Sequence, residues 1–312
     1  MSPTRTLVIA LGGNAIVREG DPPTIDAQLR RIGDAMAPVV RLLLSGWRVV
    51  LTHGNGPVVG NIVLRAELAG DELPPPPLFI SGADSEGGIG LLIQQVLGNQ
   101  LRAVGSNLAP ATVVTQVVVD GDDPAFLTPT KPIGPYYSAT RAQELAASRG
   151  WDIARQQSGK WRRVVPSPRP LRVVEAPVVA ALLEAGVVPV AAGGGGVPVV
   201  ELAHGALAGI DAVIDKDWTS VVLAHQLGVH TVAILMEDDA IKLDWNTANE
   251  RAIDHLTAVE AEELAGSLPA GSVGPKVAAA AWFARRGATA VICSAEGLEA
   301  ALEGVGGTRV EG

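Results

Sequence analysis

Three lysines sit where a freely solvated cation is hard to rationalise. Lys131 is bracketed by Thr130 and Pro132. Lys216 lies between Asp215 and Asp217, directly after the apolar run Ala212-Val213-Ile214. Lys276 follows Gly274-Pro275 at the predicted start of a helix. A cation at a helix N-terminus opposes the macrodipole, so Lys276 carries a local cost that an anionic ligand would remove. Five glycine-rich turns accompany them: Gly12-Gly13-Asn14, Gly54-Asn55-Gly56-Pro57, Gly87-Gly88-Ile89-Gly90, Gly134, and Gly193-Gly194-Gly195-Gly196. Glycine lets a ligand approach the main chain closely, and successive exposed N–H groups bind phosphate oxygens. Positioned cations and main-chain donors around a group whose oxygens carry spread charge are what phosphoryl transfer requires. The candidate phosphate-binding positions are therefore Gly12, Gly13, Asn14, Gly54, Asn55, Gly56, Gly87, Gly88, Gly194 and Gly195, with Lys131, Lys216 and Lys276 as the cations. Asp217 is placed either to orient Lys216 or to hold Mg²⁺ through water.

Other chemistries lack their residues. No G-x-x-x-x-G-K-S/T occurs, and Gly54 to Gly60 has one residue too many for G-x-G-x-x-G. The five histidines, His53, His204, His225, His230 and His255, show no H-E-x-x-H spacing, and no G-x-S-x-G is present. His53 precedes a functional-looking turn without a visible partner and reads as structural. The single cysteine, Cys293, follows Ala290-Val291-Ile292 and reads as a buried core thiol. One cysteine excludes an intramolecular disulfide and a cysteine-rich zinc site.

Short apolar runs alternate with helical patterns along the 312 residues. Strands are expected at 7–11, 47–52, 111–119, 187–192, 212–214, 231–235 and 288–292. Helices are expected at 26–45, 89–104, 175–185, 218–227, 258–266, 275–286 and 298–303, with another starting near Pro57. Continuous apolar strands with intervening helices predict an α/β fold whose mostly parallel sheet is covered on both faces. Ligands of such sheets bind at the carboxyl ends of strands, where the glycine turns fall. The proline-rich stretch 120–170 breaks the rhythm and is expected to form an insertion or lid between two hinges.

Apolar residues make up 47 %, charged residues 18 %, and the net charge is −9 with no Lys/Arg-rich run, which argues against nucleic acid as a partner. No apolar stretch approaches the ~18 residues of a membrane helix. Met1-Ser2-Pro3-Thr4-Arg5-Thr6 has no apolar signal core, so a cytoplasmic location is expected.

The blocks Ala10 to Ala15, His53 to Asn61, Pro129-Thr130-Lys131-Pro132-Ile133-Gly134-Pro135, Val164 to Pro168, Gly193 to Val197 and Ala212 to Asp217 resemble the carbamate kinases of the amino acid kinase superfamily, in family order and over nearly the whole chain. The resemblance implies one amino acid kinase domain over 1–312, built as a three-layer αβα sandwich with an open sheet, and a small protruding subdomain at 120–170. It implies a homodimer that binds ATP or ADP with Mg²⁺ toward the C-terminal half, and carbamate or carbamoyl phosphate toward the N-terminal half. In the family's usual setting this reaction ends arginine or purine-nitrogen catabolism. Lys131, Lys216 and Lys276 would line the phosphoryl path, with Asp217 orienting the lysines and no protein-held metal. Gly12, Gly13, Asn14, Gly54 and Asn55 would donate to acceptor and γ-phosphoryl. Two other readings stay open: a related kinase acting on another small carboxylate, and a non-catalytic nucleotide-binding regulator.

The chain departs from the family in three places. Ser85-Glu86-Gly87 stands where a threonine-glutamine-glycine stretch is common, so either Glu86 points away from the anionic acceptor or acceptor choice has changed. Trp218 and Thr219 replace smaller or aliphatic residues, and Met236-Glu237-Asp238-Asp239 replaces a threonine-containing segment.

Overall fold

A computed structural model of the chain describes residues 5–18, 20, 22, 24–156, 158–268 and 273–312. The expected reading of Met1 to Thr4 lies outside the described residues. An eight-stranded sheet runs in the order His255–Thr257, Thr308–Glu311, Thr289–Ser294, Thr231–Met236, Thr6–Leu11, Arg48–His53, Val187–Val190, Ala109–Thr112. The last six are mutually parallel. The first two are parallel to each other and antiparallel to Thr289–Ser294. The central strand shows why the run is apolar without alternation. Leu7, Ile9 and Leu11 point into one core and Val8 and Ala10 into the other. Successive side chains face opposite sides of a sheet, so a strand buried on both faces must be apolar throughout. Helices Ile25–Leu44, Leu78–Ala103 and Leu298–Leu302 cover the first face, and Ala176–Glu184, Lys216–Gln226, Ala258–Ala265 and Gly274–Ala284 the second. The αβα sandwich is thus present.

A second sheet orders Leu207–Gly209, Val197–Glu201, Gln116–Val119 and Pro170–Val173. Its last two strands are antiparallel neighbours, so the chain leaves and returns at one place, and residues between them form a separate unit. That unit is a three-stranded antiparallel sheet, Lys131–Tyr137, Trp161–Val165 and Ile153–Arg155, with helix Ala139–Arg149. It docks on helix Gly56–Leu68. Glu67 accepts from Arg149 at 2.6 Å, Arg163 at 3.0 Å and the Trp151 indole at 3.1 Å. The two backbones touch at Gly60 and Gly134, where a Cβ on Gly60 would lie 2.0 Å from Gly134 Cα.

Three expectations are corrected. The run 111–119 is two strands in different sheets, Ala109–Thr112 and Gln116–Val119, because the chain crosses between layers at Val113 to Thr115. Residues 212–214 form no strand; they run extended into the helix that begins at Lys216, with the Val213 amide donating to Pro166. Gly87 and Gly88 form no turn. They lie in mid-helix within Leu78–Ala103, where backbone N–H groups bond to the preceding turn rather than to a ligand. Tertiary contact explains a glycine there: a Cβ on Gly90 would sit 2.3 Å from Thr112 Cγ2, so the helix reaches its neighbouring strand only without side chains.

Candidate active site

Loops at the carboxyl ends of five parallel strands open on one cleft of about 1080 Å³. Gly12, Gly13 and Asn14 follow the first strand, Gly54, Asn55 and Gly56 the second, and Gly194 lies beyond Val187–Val190. A Cβ on Gly54 would lie 3.4 Å from both Gly13 N and Lys216 Cδ, so two glycine turns and the Lys216 side chain converge at this point. Asn55 is buried and donates to Ser85 Oγ at 3.2 Å, which fixes its amide beneath Gly194.

The cations come from three separate segments and meet two adjacent carboxylates. Lys131, the first residue of its strand, donates to Asp215 Oδ2 at 2.5 Å. Lys216 opens its helix and bonds Asp217, and Lys276 in the first turn of Gly274–Ala284 donates to the other Asp217 oxygen at 2.8 Å. Asp215 also caps the helix, accepting from the Asp217 amide at 3.0 Å. Asp217 therefore orients Lys216 and Lys276, and it supplies the anion that helix N-terminus needs around Lys276. Three ammonium groups against two carboxylates leave one positive charge for an anionic ligand.

The buried setting shifts each group. Desolvation pulls Lys216 down to about 8, against the attraction of Asp217. Burial lowers Lys276 too, but the Asp217 charge outweighs it and holds the group above its ordinary value. Burial would raise Asp215, yet Lys131, Lys276 and Lys216 hold it well below the usual carboxylate range. Asp217 is held low in the same way by Lys216 and Lys276.

Of the expected positions, Lys131, Lys216, Asp217, Lys276, Gly12, Gly13, Asn14, Gly54, Asn55, Gly56 and Gly194 line this cleft. Gly195 sits behind it. Its φ is +92°, a Cβ would meet Ile214 O at 2.4 Å, and its carbonyl accepts from Thr219 Oγ1 at 2.9 Å. Gly87 and Gly88 do not line the cleft. Among the described residues no group of three His, Cys, Asp or Glu side chains could hold a metal ion.

Sequence reasoning passed over Asp215, Arg162 and Arg169, all of which line the cleft. Asp215 stands inside the block that carries Lys216, and only the three-dimensional approach of the Lys131 strand reveals its role. Arg169 had a local signal: it is held between Pro168 and Pro170. His53 is fully buried behind the turn, and desolvation lowers it to about 4, so it stays neutral.

Glu86 points away from the cleft. It is 1 % exposed and accepts from Gly193 N at 2.9 Å and Thr115 N at 3.1 Å, bracing the glycine loop from beneath. Burial pushes its carboxyl up to about 8, although the two amides oppose this. A carboxyl whose folded pKa is raised favours the folded state most below its unfolded value, near 4.5, and that contribution is lost as pH climbs to about 8. Glu86→Gln removes the titration. The melting temperature of wild type relative to Glu86→Gln is therefore expected to fall by several degrees between pH 5 and pH 8, at about 2–4 °C per kcal/mol for a chain of this size. A constant difference across that range would show that Glu86 titrates as an ordinary carboxylate.

The amino acid kinase family model matches residues 5–294. A carbamate kinase of Pyrococcus horikoshii is 41 % identical over 310 residues, which cover 97 % of this chain and 98 % of that protein. A carbamate kinase of Giardia lamblia bound to AMP-PNP superposes with a TM-score of 0.89 at 36 % identity, over 100 % of this chain and 99 % of that one. The same Giardia protein, thiocarbamoylated by disulfiram on a cysteine, superposes with a TM-score of 0.86 at 36 % identity over 99 % of each chain. Agreement of this extent, together with a lysine–aspartate cluster at a glycine-lined strand edge, places the chain in the amino acid kinase family, among the carbamate kinases.

Proposed function

We propose that this chain catalyses ATP + carbamate ⇌ ADP + carbamoyl phosphate by direct in-line transfer. The observation that carries the reading is the convergence of Lys131, Lys216 and Lys276 on Asp215 and Asp217 beside the Gly12, Gly13 and Gly54 main chain. A carbamate oxygen attacks the γ-phosphorus as the bond to the β–γ bridging oxygen breaks, and ADP leaves with that oxygen. Lys216 is placed to stabilise the equatorial oxygens of the transferring group. Lys131 and Lys276 are placed to take the charge that shifts between leaving and attacking oxygens. The glycine turns supply N–H donors that need no reorganisation during transfer. Mg²⁺ would arrive on the nucleotide phosphates, because both Asp217 oxygens are engaged by lysines and Asp215 is engaged by Lys131 and a main-chain amide. The family resemblance supports a homodimeric cytoplasmic enzyme, and sedimentation of the purified protein would test the dimer.

The deciding experiment is a coupled assay of ATP formation from ADP, Mg²⁺ and carbamoyl phosphate. Rapid ATP formation is expected. Binding of ATP with no turnover would redirect the search to another small carboxylate acceptor. A second outcome follows from the cysteine count. The Giardia enzyme is modified by disulfiram, whereas the single cysteine here, Cys293, is 1 % exposed in strand Thr289–Ser294, with its thiol pushed up to about 12 by burial. Incubation with disulfiram should leave activity unchanged and add no mass by intact-protein mass spectrometry. Time-dependent inactivation with a mass increase would show that Cys293 becomes accessible.

A further inference from the structure

Arg169 and Trp218 form a stacked pair that the lysine–aspartate cluster does not account for. The guanidinium carbon lies 3.3 Å from the centroid of the indole, and both residues line the cleft. Each partner is held from behind. Arg169 lies between Pro168 and Pro170, which restricts its backbone to extended conformations, and its amide donates to Asp123 Oδ2 at 2.9 Å. Trp218 meets Trp282 in an edge contact at 6.3 Å, and Trp282 in turn packs against His225 at 5.8 Å and beneath Arg286 at 3.6 Å. The aromatic support therefore reaches back to helix Gly274–Ala284, which also carries Lys276.

Stacking occupies the face of a guanidinium and leaves its edge of N–H donors pointing outward, in the fork geometry that suits phosphate oxygens. That edge has no carboxylate hydrogen bond among the described residues. The Asp215 oxygens are taken by Lys131 and by the Asp217 amide, although its charge still attracts Arg169. The result is an oriented, partly desolvated cation facing the same cleft as the three lysines, on the segment that returns from the inserted unit.

We propose that Arg169, held by Trp218, is a further phosphate-binding residue of this cleft. Its target is a phosphate of the nucleotide or of the acyl phosphate. The inference rests on the phosphoryl-transfer reading above and adds a recognition element to it.

The test measures KM for ADP and for carbamoyl phosphate, and kcat, in Arg169→Ala, Arg169→Lys, Trp218→Leu and Trp218→Phe. Arg169→Ala should raise one KM about tenfold, with kcat changed less than about threefold, as expected for loss of a charge-assisted hydrogen bond in a partly desolvated site. The KM that rises identifies which phosphate is bound. Arg169→Lys should recover little, because an ammonium lacks the fork. Trp218→Leu should reproduce the defect and Trp218→Phe should largely relieve it. Both KM values within about threefold of wild type in Arg169→Ala would overturn the proposal, and so would a loss confined to kcat. A normal KM in Trp218→Leu would overturn the part played by the stack. Calorimetric binding of ADP to the same variants separates this inference from the function itself. A wild type that binds ADP but makes no ATP would refute the reaction, while weakened ADP binding in Arg169→Ala would still support the contact.

Discussion

Lys216→Ala should lower the turnover of ATP formation about 10³-fold while the protein stays folded. Lys216 is 7 % exposed at the first position of its helix, so its ammonium is held in place before substrate arrives. A preorganised charge in a poorly solvated site acts most strongly on charge that builds during transfer, and a 10³-fold loss corresponds to about 4 kcal/mol of transition-state stabilisation. The helix should survive. Asp215 still caps it, Ser220 Oγ still donates to the Lys216 carbonyl, and Asp217 keeps Lys276 as a partner. Lys131→Ala and Lys276→Ala should also lose orders of magnitude. Steady-state kinetics with circular dichroism as the folding control checks this. Turnover of Lys216→Ala within tenfold of wild type would remove that residue from the mechanism. In wild type, kcat/KM should decline above about pH 8 as Lys216 loses its proton in the free enzyme.

Asp217→Asn should injure both activity and stability, because one nearly isosteric change removes the counterion of two buried cations. Breaking a buried ion pair from one side costs about 3–5 kcal/mol, since the remaining charge stays desolvated and unpaired. Lys216 relieves part of that cost by giving up its proton. Burial already brings it to about 8 with Asp217 in place, and losing the carboxylate moves it lower still. The variant should therefore melt several degrees below wild type. Its kcat/KM at pH 7 should fall by about 10²-fold, with the alkaline limb of the pH profile displaced toward acid. The displacement separates this account from general loosening of the site, which would lower activity without moving the limb. An unmoved limb and a stability within about 1 kcal/mol of wild type would show that Asp217 is not the counterion.

The brace beneath the glycine loop bears on acceptor choice. Glu86 in a position that commonly holds glutamine raised the prospect of a carboxylate facing an anionic acceptor. The amides of Gly193 and Thr115 hold its carboxyl inward instead, where burial pushes it up to about 8 and keeps it largely protonated at neutral pH, so no carboxylate charge faces the substrate.

Much was determined by the sequence alone. Strands buried on both faces must be apolar along their whole length, so runs such as residues 7–11 announce a covered parallel sheet. Glycine turns at the ends of those runs mark the edge where ligands bind, and Lys131, Lys216 and Lys276 stood out by local context. Other features depended on contacts between distant segments. Gly87 and Gly88 look like a ligand-binding turn by composition, yet they lie inside helix Leu78–Ala103, and of the three glycines only Gly90 is required by a tertiary contact, its close approach to Thr112. Residues 212–214 read as a strand but form none, and the Val213 amide donates instead to Pro166 on the segment returning from the inserted unit. The pairing of Lys131 with Asp215, 84 residues apart, and of Lys276 with Asp217, 59 apart, has no period or spacing that local sequence could carry. Local sequence specifies elements and the residue types at their ends. Which charges face one another is set only when those ends are packed together at one cleft, and there burial and Coulomb attraction select the partners.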